Sequence, residues 1–174
     1  MRYANLITED LVNGEGICVS LFMQGCHFHC PGCHNPETWD FNGGREIDID
    51  TLLANIIEAL GRNKIERNFS ILGGEPLAPE NIGYTMTIIY AVRLTYPDIK
   101  IFLWTGYEAD ELPKDKVAQR IYSCVDKMII GRFILAERDT TLALMGSRNQ
   151  QVLTKEKIFD IINIENKKGE NFNE

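Results

Sequence analysis

Apolar residues recur at helical spacing in three parts of the chain. In the first part, the apolar positions from Leu52 to Leu60 repeat every three or four residues, which predicts an amphipathic helix over residues 50–60. Asp50 is the expected N-cap of this helix, and Gly61 is its expected stop. We expect its apolar face to pack against the rest of the fold.

Short apolar runs lie between the helical segments and predict strands. The second and third helical segments cover residues 79–95 and 117–124. The predicted strands are residues 17–23, 68–72, 100–107 and 126–131. Strands that alternate with helices are typical of βαβ units, so the sequence predicts an α/β fold with a mostly parallel sheet.

The carboxyl ends of such strands lie at one edge of the sheet, because right-handed crossovers make the strands parallel. Active sites of α/β folds usually lie at this edge. Here the edge would collect residues 26–33, 73–76, 105–107 and 131–133. A complete eight-stranded barrel needs about 250 residues. A chain of 174 residues therefore predicts a partial, laterally open (β/α) barrel.

The chain is expected to form one domain over residues 1–153, followed by a tail over residues 154–174. The tail begins with a short apolar stretch that predicts a helix, and it ends in mixed charge, Asn and Gly. We therefore expect about the last ten residues to be disordered.

The charge pattern argues against several classes of partner. The net charge is −7 and the basic residues are scattered, unlike the basic stripe of a nucleic-acid-binding surface. No apolar run approaches the roughly 18 residues that cross a bilayer. The first residues carry charge and have no apolar core, unlike a secretory signal. These features predict a cytoplasmic protein that binds neither nucleic acid nor membrane.

Three of the five cysteines lie within the stretch GCHFHCPGCHN. Such close spacing of Cys26, Cys30 and Cys33 is typical of metal-bound thiolates rather than of a disulfide framework. Cys18 and Cys124 lie in mostly apolar surroundings, so we expect them to be small buried side chains.

Two kinds of metal site are compatible with these three cysteines. A structural zinc site needs four protein ligands, and His27, His29 or His34 could supply the fourth. A 4Fe-4S cluster held by three cysteines instead leaves one iron open to a small chelating molecule. The spacing alone leaves both possibilities open. His27 and His29 are interpreted as polar loop residues or as donors to sulfur.

Two motifs resemble those of a known enzyme superfamily. The pattern Cys26-x3-Cys30-x2-Cys33 is similar to the hallmark of the radical S-adenosylmethionine (SAM) superfamily. The stretch GGEP at residues 73–76 resembles the SAM-binding motif of the same superfamily. Because the two occur together and in order, they are more specific than either motif alone.

Further stretches make the resemblance more specific. The stretch CHNPETWD at residues 33–40 resembles the activating enzymes of glycyl-radical enzymes. Three stretches resemble in particular the activating proteins of anaerobic ribonucleotide reductases: LVNGEG at 11–16, WTGY at 104–107 and GSRNQ at 146–150. The similarity covers roughly residues 1–153. The main departure is Gly32, where the superfamily often has an aromatic residue.

The resemblance implies a radical-SAM-type partial barrel with one 4Fe-4S cluster on the three cysteines. The residues implied to contact SAM are Gly32, Cys33, His34, Gly73, Gly74 and Glu75. It further implies an activase that places a glycyl radical on the large subunit of the reductase by reductive cleavage of SAM, with electrons from a donor such as flavodoxin. Two alternatives stay open: an activating enzyme of the pyruvate formate-lyase type, and a zinc-stabilised interaction module.

Two more sets of residues have an open role. Trp104, Thr105 and Tyr107 end a predicted strand at the active edge, where they either shape the opening or join the core. Arg132, Asn149 and Gln150 are weaker candidates for holding the SAM carboxylate or ribose, with ordinary surface roles as the alternative.

Overall fold

The computed structural model describes residues 1–161, which form a seven-stranded sheet, three α-helices and a further helical segment that begins at residue 155. The strands are β1 (Arg2–Asp10), β2 (Cys18–Met23), β3 (Arg45–Glu46), β4 (Asn68–Gly73), β5 (Ile101–Trp104), β6 (Lys127–Ile130) and β7 (Gln151–Thr154). The helices are α1 (Ile49–Gly61), α2 (Ile82–Thr95) and α3 (Lys116–Cys124).

The strand order is β3-β1-β2-β4-β5-β6-β7, so β3 and β7 form the two edges of an open sheet. The four central strands, β2, β4, β5 and β6, pair in parallel. The three outer strands are antiparallel to their neighbours. The prediction of a mixed α/β fold with an open sheet is thus confirmed, and its parallel part is the centre of the sheet.

The sequence pattern did not predict the antiparallel strands β1, β3 and β7. The register of β1 against β2 shifts between Tyr3 and Asn5 and again between Ile7 and Asp10. Such irregularities interrupt the two-residue alternation by which a strand is recognised in a sequence. β3 and β7 have two and four residues, too few for a clear pattern.

The first two helices begin a few residues away from their predicted starts, for local reasons. The predicted N-cap Asp50 is wrong: α1 is capped by Asp48, whose carboxylate accepts a hydrogen bond from the Thr51 N–H at 3.1 Å. The second helix begins at Ile82 rather than at residue 79, because hydrogen-bonded turns occupy the residues before it.

The two faces of the sheet have different environments. Side chains that point to one face, among them Leu21, Ile71 and Leu103, belong to the main core together with Ile56 of α1 and Ile88 of α2. Because side chains alternate along a strand, the neighbouring residues point to the other face. Helices therefore cover one face of the sheet and leave the other to loops.

Loop residues 11–16 lie on the face without helices. The Ser70 hydroxyl of β4 donates a hydrogen bond to the Asn13 carbonyl, which ties this loop to the centre of the sheet. Cys18 is fully buried beneath the loop, and Cys124 is half-buried at the end of α3.

Residues 155–161 are helical. The predicted disorder of about the last ten residues lies outside the described part of the chain. None of the helices within residues 1–161 combines the length and the apolar character that a membrane crossing requires.

Candidate metal and cofactor site

A cavity of about 620 Å³ lies at the carboxyl edge of the parallel strands. The segments that follow all four parallel strands contribute to its wall, so the structure brings together the segments that the sequence placed at this edge. They contribute Cys26, Cys30, Gly32, Cys33, His34, Gly73, Gly74, Glu75, Thr105, Gly106, Gly131, Arg132 and Phe133. One cavity thus collects the cysteine loop and the GGEP turn.

The three cysteines of the loop after β2 are half-buried free thiols in the cavity wall. Each sulfur lies beside a backbone N–H donor. The donors are the N–H groups of Phe28 and His29 at Cys26, of Phe133 at Cys30, and of Asn35 at Cys33, the last with 3.4 Å between N and Sγ. Hydrogen bonds of this kind stabilise anionic sulfur, so the donor set fits thiolate ligands of an iron-sulfur cluster.

Burial has the opposite effect on the pKa of two of these thiols. It is the largest cause that raises the pKa of Cys26 and of Cys30 above the ordinary value, and the backbone N–H groups reduce this effect. Metal binding removes the proton from a thiol. The two thiols are therefore protonated at neutral pH until a metal binds.

The spacing of the ligands helps to distinguish the two kinds of metal site. Ligands of a single zinc ion lie about 2.0–2.3 Å from that ion, so their donor atoms must nearly meet. Within residues 1–161, no group of three or more His, Cys, Asp or Glu side chains is placed to hold one metal ion. Ligands of a cluster bind different irons, so the three thiols in this cavity wall need not converge on one point to hold a cluster.

Phe28 anchors the cysteine loop to the turns after β5 and β6. Its ring packs edge-to-face on Tyr107, with 4.9 Å between ring centroids, and the Arg132 guanidinium lies 4.5 Å from its centroid. Its ring also fills the space that a Cβ atom on Gly106 would need. Phe28 therefore holds the loop between the first two cysteines against these two turns.

The GGEP turn is joined to the start of the cysteine loop through the backbone. The N–H of Gly74 donates to the Met23 carbonyl at 2.9 Å, and the N–H of Glu75 donates to the Gly25 carbonyl at 2.7 Å. A Cβ atom on Gly74 would overlap the carbonyl oxygen of Gly25. Only glycine permits this approach, so Gly74 sets the distance between the two halves of the site.

The Glu75 carboxylate is 2% exposed and accepts three hydrogen bonds from the protein. The donors are the Leu77 N–H, the Thr105 hydroxyl and the Gly106 N–H, each at 2.8 Å. Burial raises the pKa of Glu75 to about 7, and these three hydrogen bonds oppose the shift. A carboxylate has about four acceptor sites, so little of this group is left for a ligand.

The three histidines have different environments. His34 lies in the cavity wall. His27 points to Glu80, with 3.0 Å between its Nε2 and the carboxylate, and its ring packs on Phe41. His29, with a positive φ of 47°, packs on Trp39. Neither His27 nor His29 lines the cavity, which agrees with their interpretation as loop residues.

The residues whose roles the sequence left open also differ in their positions relative to the cavity. Trp104 and Thr105 line the cavity, whereas Tyr107 packs behind Phe28. Arg132 lines the cavity, but its guanidinium is paired with Glu111 at 2.9 Å. The Asn149 and Gln150 side-chain amides donate to backbone carbonyls of residues 132 and 131, each at 2.8 Å. These side chains thus brace the loop after β6.

Sequence reasoning missed several residues of the cavity wall. They are Val12, Asn13, Asn35, Trp39, Leu72, Arg138, Thr140, Leu142, Leu144, Met145 and Gly146, none of which was given a role. Val12, Asn13 and Trp39 belong to stretches that carried the resemblance, which was the available signal for them. The loop from residue 138 to residue 146 carried no such signal apart from its last glycine.

A family model described as a 4Fe-4S single cluster domain matches residues 12–153. The matched range includes all three loop cysteines and every strand from β2 to β6. It covers most of the chain, so the likeness concerns most of the sheet and not only the cysteine loop.

Curated relatives are similar over nearly their full length. A protein of Haemophilus influenzae is 37% identical over 151 residues, which is 86% of this chain and 96% of the relative. The corresponding proteins of Pasteurella multocida and Escherichia coli K12 are 34% and 33% identical over 86% and 87% of this chain, and over 95% and 97% of their own lengths. All three are called anaerobic ribonucleoside-triphosphate reductase-activating protein.

Proposed function

The chain belongs to the family of anaerobic ribonucleoside-triphosphate reductase-activating proteins, and we propose that it activates such a reductase by placing a glycyl radical on the large subunit. Membership of the 4Fe-4S single cluster domain family makes it an iron-sulfur protein. The substrate is then a glycine of a folded partner and not a free metabolite. The large reductase subunit is the proposed partner.

The proposed cluster ligands are Cys26, Cys30 and Cys33. When bound, the cluster would supply the low-potential electron that SAM cleavage requires. The protein's own residues hold the loop in place through Phe28 and direct backbone N–H groups at the sulfurs. With three cysteine ligands, one iron is left for the amino and carboxylate groups of SAM.

The proposed SAM contacts are Gly32, Cys33 and His34 on one side and Gly73, Gly74 and Glu75 on the other. Both groups of residues line the same cavity. Gly32 has a φ of 76°, a conformation that favours glycine. Because glycine has no side chain, the cavity beside Cys33 stays open at this position. Since the Glu75 carboxylate is held by protein donors, its contact with SAM is proposed to be through the backbone.

The open sheet suits a polypeptide substrate. We propose that residues 1–153 form a partial barrel of the radical SAM type, with helices outside and the cavity on the face without helices. The unpaired edges at β3 and β7 leave room for a loop of a folded protein to reach the cavity. A free metabolite would instead favour a closed barrel, which also excludes water better.

One observation carries the proposal: three free thiols and the GGEP turn share one cavity, without a set of ligands that could hold a single ion within residues 1–161. The direct test is anaerobic reconstitution followed by iron, sulfide and zinc analysis, and then assay of SAM cleavage to methionine and 5′-deoxyadenosine. About four irons and four sulfides with SAM cleavage is the expected result. Bound zinc without sulfide would instead support the interaction module.

The remaining alternative is an activating enzyme of the pyruvate formate-lyase type. A test of which partner protein is activated distinguishes it from the proposed function. The cluster-loaded chain is offered either the large subunit of the anaerobic reductase or pyruvate formate-lyase, each with SAM and reduced flavodoxin. Radical formation on the reductase subunit alone is expected. Replacing flavodoxin with a chemical reductant tests the proposed electron donor independently of the partner.

A further inference from the structure

Trp39 carries a buried hydrogen-bond donor that has no acceptor. Four buried side-chain polar atoms lack a partner within residues 1–161, namely Ser20 Oγ, Gln24 Oε1, Trp39 Nε1 and Arg67 Nε. Trp39 is the one member of this set that lines the cavity of the three cysteines. Bulk water does not reach the indole nitrogen, so solvent cannot supply the acceptor.

The other tryptophan of the chain provides a direct comparison. Trp104 also lines the cavity, but its indole N–H donates to the Leu144 carbonyl at 2.8 Å. Buried indole N–H groups usually find such a partner, because an unpaired buried donor destabilises the fold. The difference indicates that the acceptor for Trp39 lies outside residues 1–161.

The backbone fixes Trp39 against the cysteine loop. Its carbonyl accepts a hydrogen bond from the Cys26 N–H at 3.0 Å, and the Thr38 carbonyl accepts from the Gly25 N–H at 2.8 Å. The indole ring also packs on His29, with 4.9 Å between the ring centroids. Trp39 therefore has a set position relative to the first cysteine and to whatever the three thiols bind.

Resting on the function proposed above, we propose that the Trp39 indole N–H donates a hydrogen bond to a sulfur atom of the 4Fe-4S cluster. Anionic sulfur is the acceptor that this wall of the cavity would gain when the cluster binds. A donor to cluster sulfur stabilises the reduced, more negative state more strongly than the oxidised state, and such bonds help to set the reduction potential. Trp39 is then a residue that tunes the cluster.

The test is a potentiometric titration of the reconstituted, SAM-free protein, with dithionite as the reductant, in the original chain and in Trp39→Phe. Without the N–H, we expect the equilibrium constant for reduction to fall about tenfold, which is about 59 mV toward negative potential for one electron. Trp104→Phe is the matched control, because it removes the other indole of the cavity wall. Its potential should stay at the original value.

A second measurement separates the N–H from the volume of the ring. In the Trp104→Phe chain Trp39 is the remaining tryptophan, so it can be replaced biosynthetically by benzothienylalanine, which has sulfur in place of the N–H. The same negative shift in this protein supports the hydrogen bond even if Trp39→Phe folds poorly. An unchanged potential in the analogue-containing protein would overturn the proposal.

Two further outcomes are decisive. If SAM affinity falls while the SAM-free potential is unchanged, the N–H donates to SAM, and the assignment to cluster sulfur is wrong. If the original chain assembles no cluster, the proposed function and this inference fail together. A normal cluster with full SAM cleavage but no shift in the variants overturns the inference alone.

Discussion

The amino and carboxyl edges of the parallel strands differ in whether their polar groups are paired with other groups of the protein. At the amino edge, where the parallel strands begin, the Glu15 carboxylate accepts hydrogen bonds from Lys100, at 2.7 Å, and from Lys127. Arg93 and Asp126 form a second ion pair there, with 2.6 Å between nitrogen and oxygen. These charged groups satisfy one another.

The carboxyl edge keeps part of its polar groups unpaired. Three half-buried thiols that form no disulfide lie in the wall of one cavity there, together with the buried Trp39 N–H, which has no acceptor within residues 1–161. Polar groups at the amino edge of the four strands thus stabilise the fold, whereas those at the carboxyl edge are available to bind a ligand. Substitutions at the amino edge should change stability alone, whereas those at the carboxyl edge should change cluster binding.

The largest expected effect comes from the cysteines. Cys26→Ala, Cys30→Ala or Cys33→Ala should abolish assembly of the cluster, because each change removes one of three ligands. Iron and sulfide analysis after anaerobic reconstitution measures this loss. Cys18→Ala and Cys124→Ala are the controls and should retain the full iron content. Retention of all iron in any of the first three variants would refute the ligand assignment.

Gly74→Ala should be the next most damaging change at the carboxyl edge. The new Cβ would overlap the Gly25 carbonyl oxygen, which belongs to the backbone and cannot easily move. We expect a stability loss of at least about 2–3 kcal/mol together with impaired cluster assembly, measured by urea unfolding and iron analysis.

Gly83→Ala is the matched control for Gly74→Ala. Gly83 lies in α2, and a Cβ there would meet no atom within 4 Å. Because alanine favours helix over glycine, this change should stabilise the protein by about 0.5–1 kcal/mol. Equal effects of the two substitutions would show that the close approach at Gly74 has no structural importance.

Arg93→Met tests the amino edge. Arg93 donates to the Asp126 carboxylate and to the carbonyls of Pro97, Ile99 and Cys124, at 2.6–2.8 Å. Its loss should cost about 2 kcal/mol, since both partners of the ion pair are only partly buried. The iron content should not change. A variant that lost stability and iron to the same degree would contradict the division between the two edges.

The smallest predicted effect is a pH dependence at the carboxyl edge. Burial raises the pKa of Glu75 from 4.5 in the unfolded chain to about 7, so the folded protein binds the extra proton between these values. The stability from this group is fully present below pH 4.5 and is lost as the pH rises through 7. We therefore expect the free energy of unfolding to decrease across this range.

Urea unfolding of the cluster-free protein under reducing conditions measures this pH dependence. Glu75→Gln cannot titrate and should lose the downward slope between pH 4.5 and 7. Glu80→Gln, a change at an exposed carboxylate near the same edge, is the control and should keep the slope. An identical pH profile for Glu75→Gln and the original chain would show that Glu75 is ionised throughout.

Sequence patterns were sufficient to locate the central features of the site. Short apolar runs and helical spacings place β2, β4, β5 and β6 in order, and parallel pairing then requires residues 26–33 and 73–76 to meet. The structure brings them together in one cavity. This part was predictable because it follows from the direction of the strands and not from the conformation of any loop.

The remaining features depend on contacts that no local pattern contains. Phe28 anchors the cysteine loop only because Gly106 and Tyr107 lie beside it in three dimensions. The Glu75 carboxylate binds the turn after β5, which is about thirty residues away in the chain. An unpaired donor such as Trp39 Nε1 becomes visible only when every neighbouring acceptor has been placed.

Electron paramagnetic resonance of the large reductase subunit tests the central claim most directly. The cluster-loaded chain, reduced under anaerobic conditions, is incubated with SAM and the large subunit, and the protein is frozen for measurement. The doublet signal of a glycyl radical is expected, and it should be missing when Cys30→Ala replaces the original chain. No doublet with a competent large subunit, despite an intact cluster and SAM cleavage, would contradict the assignment.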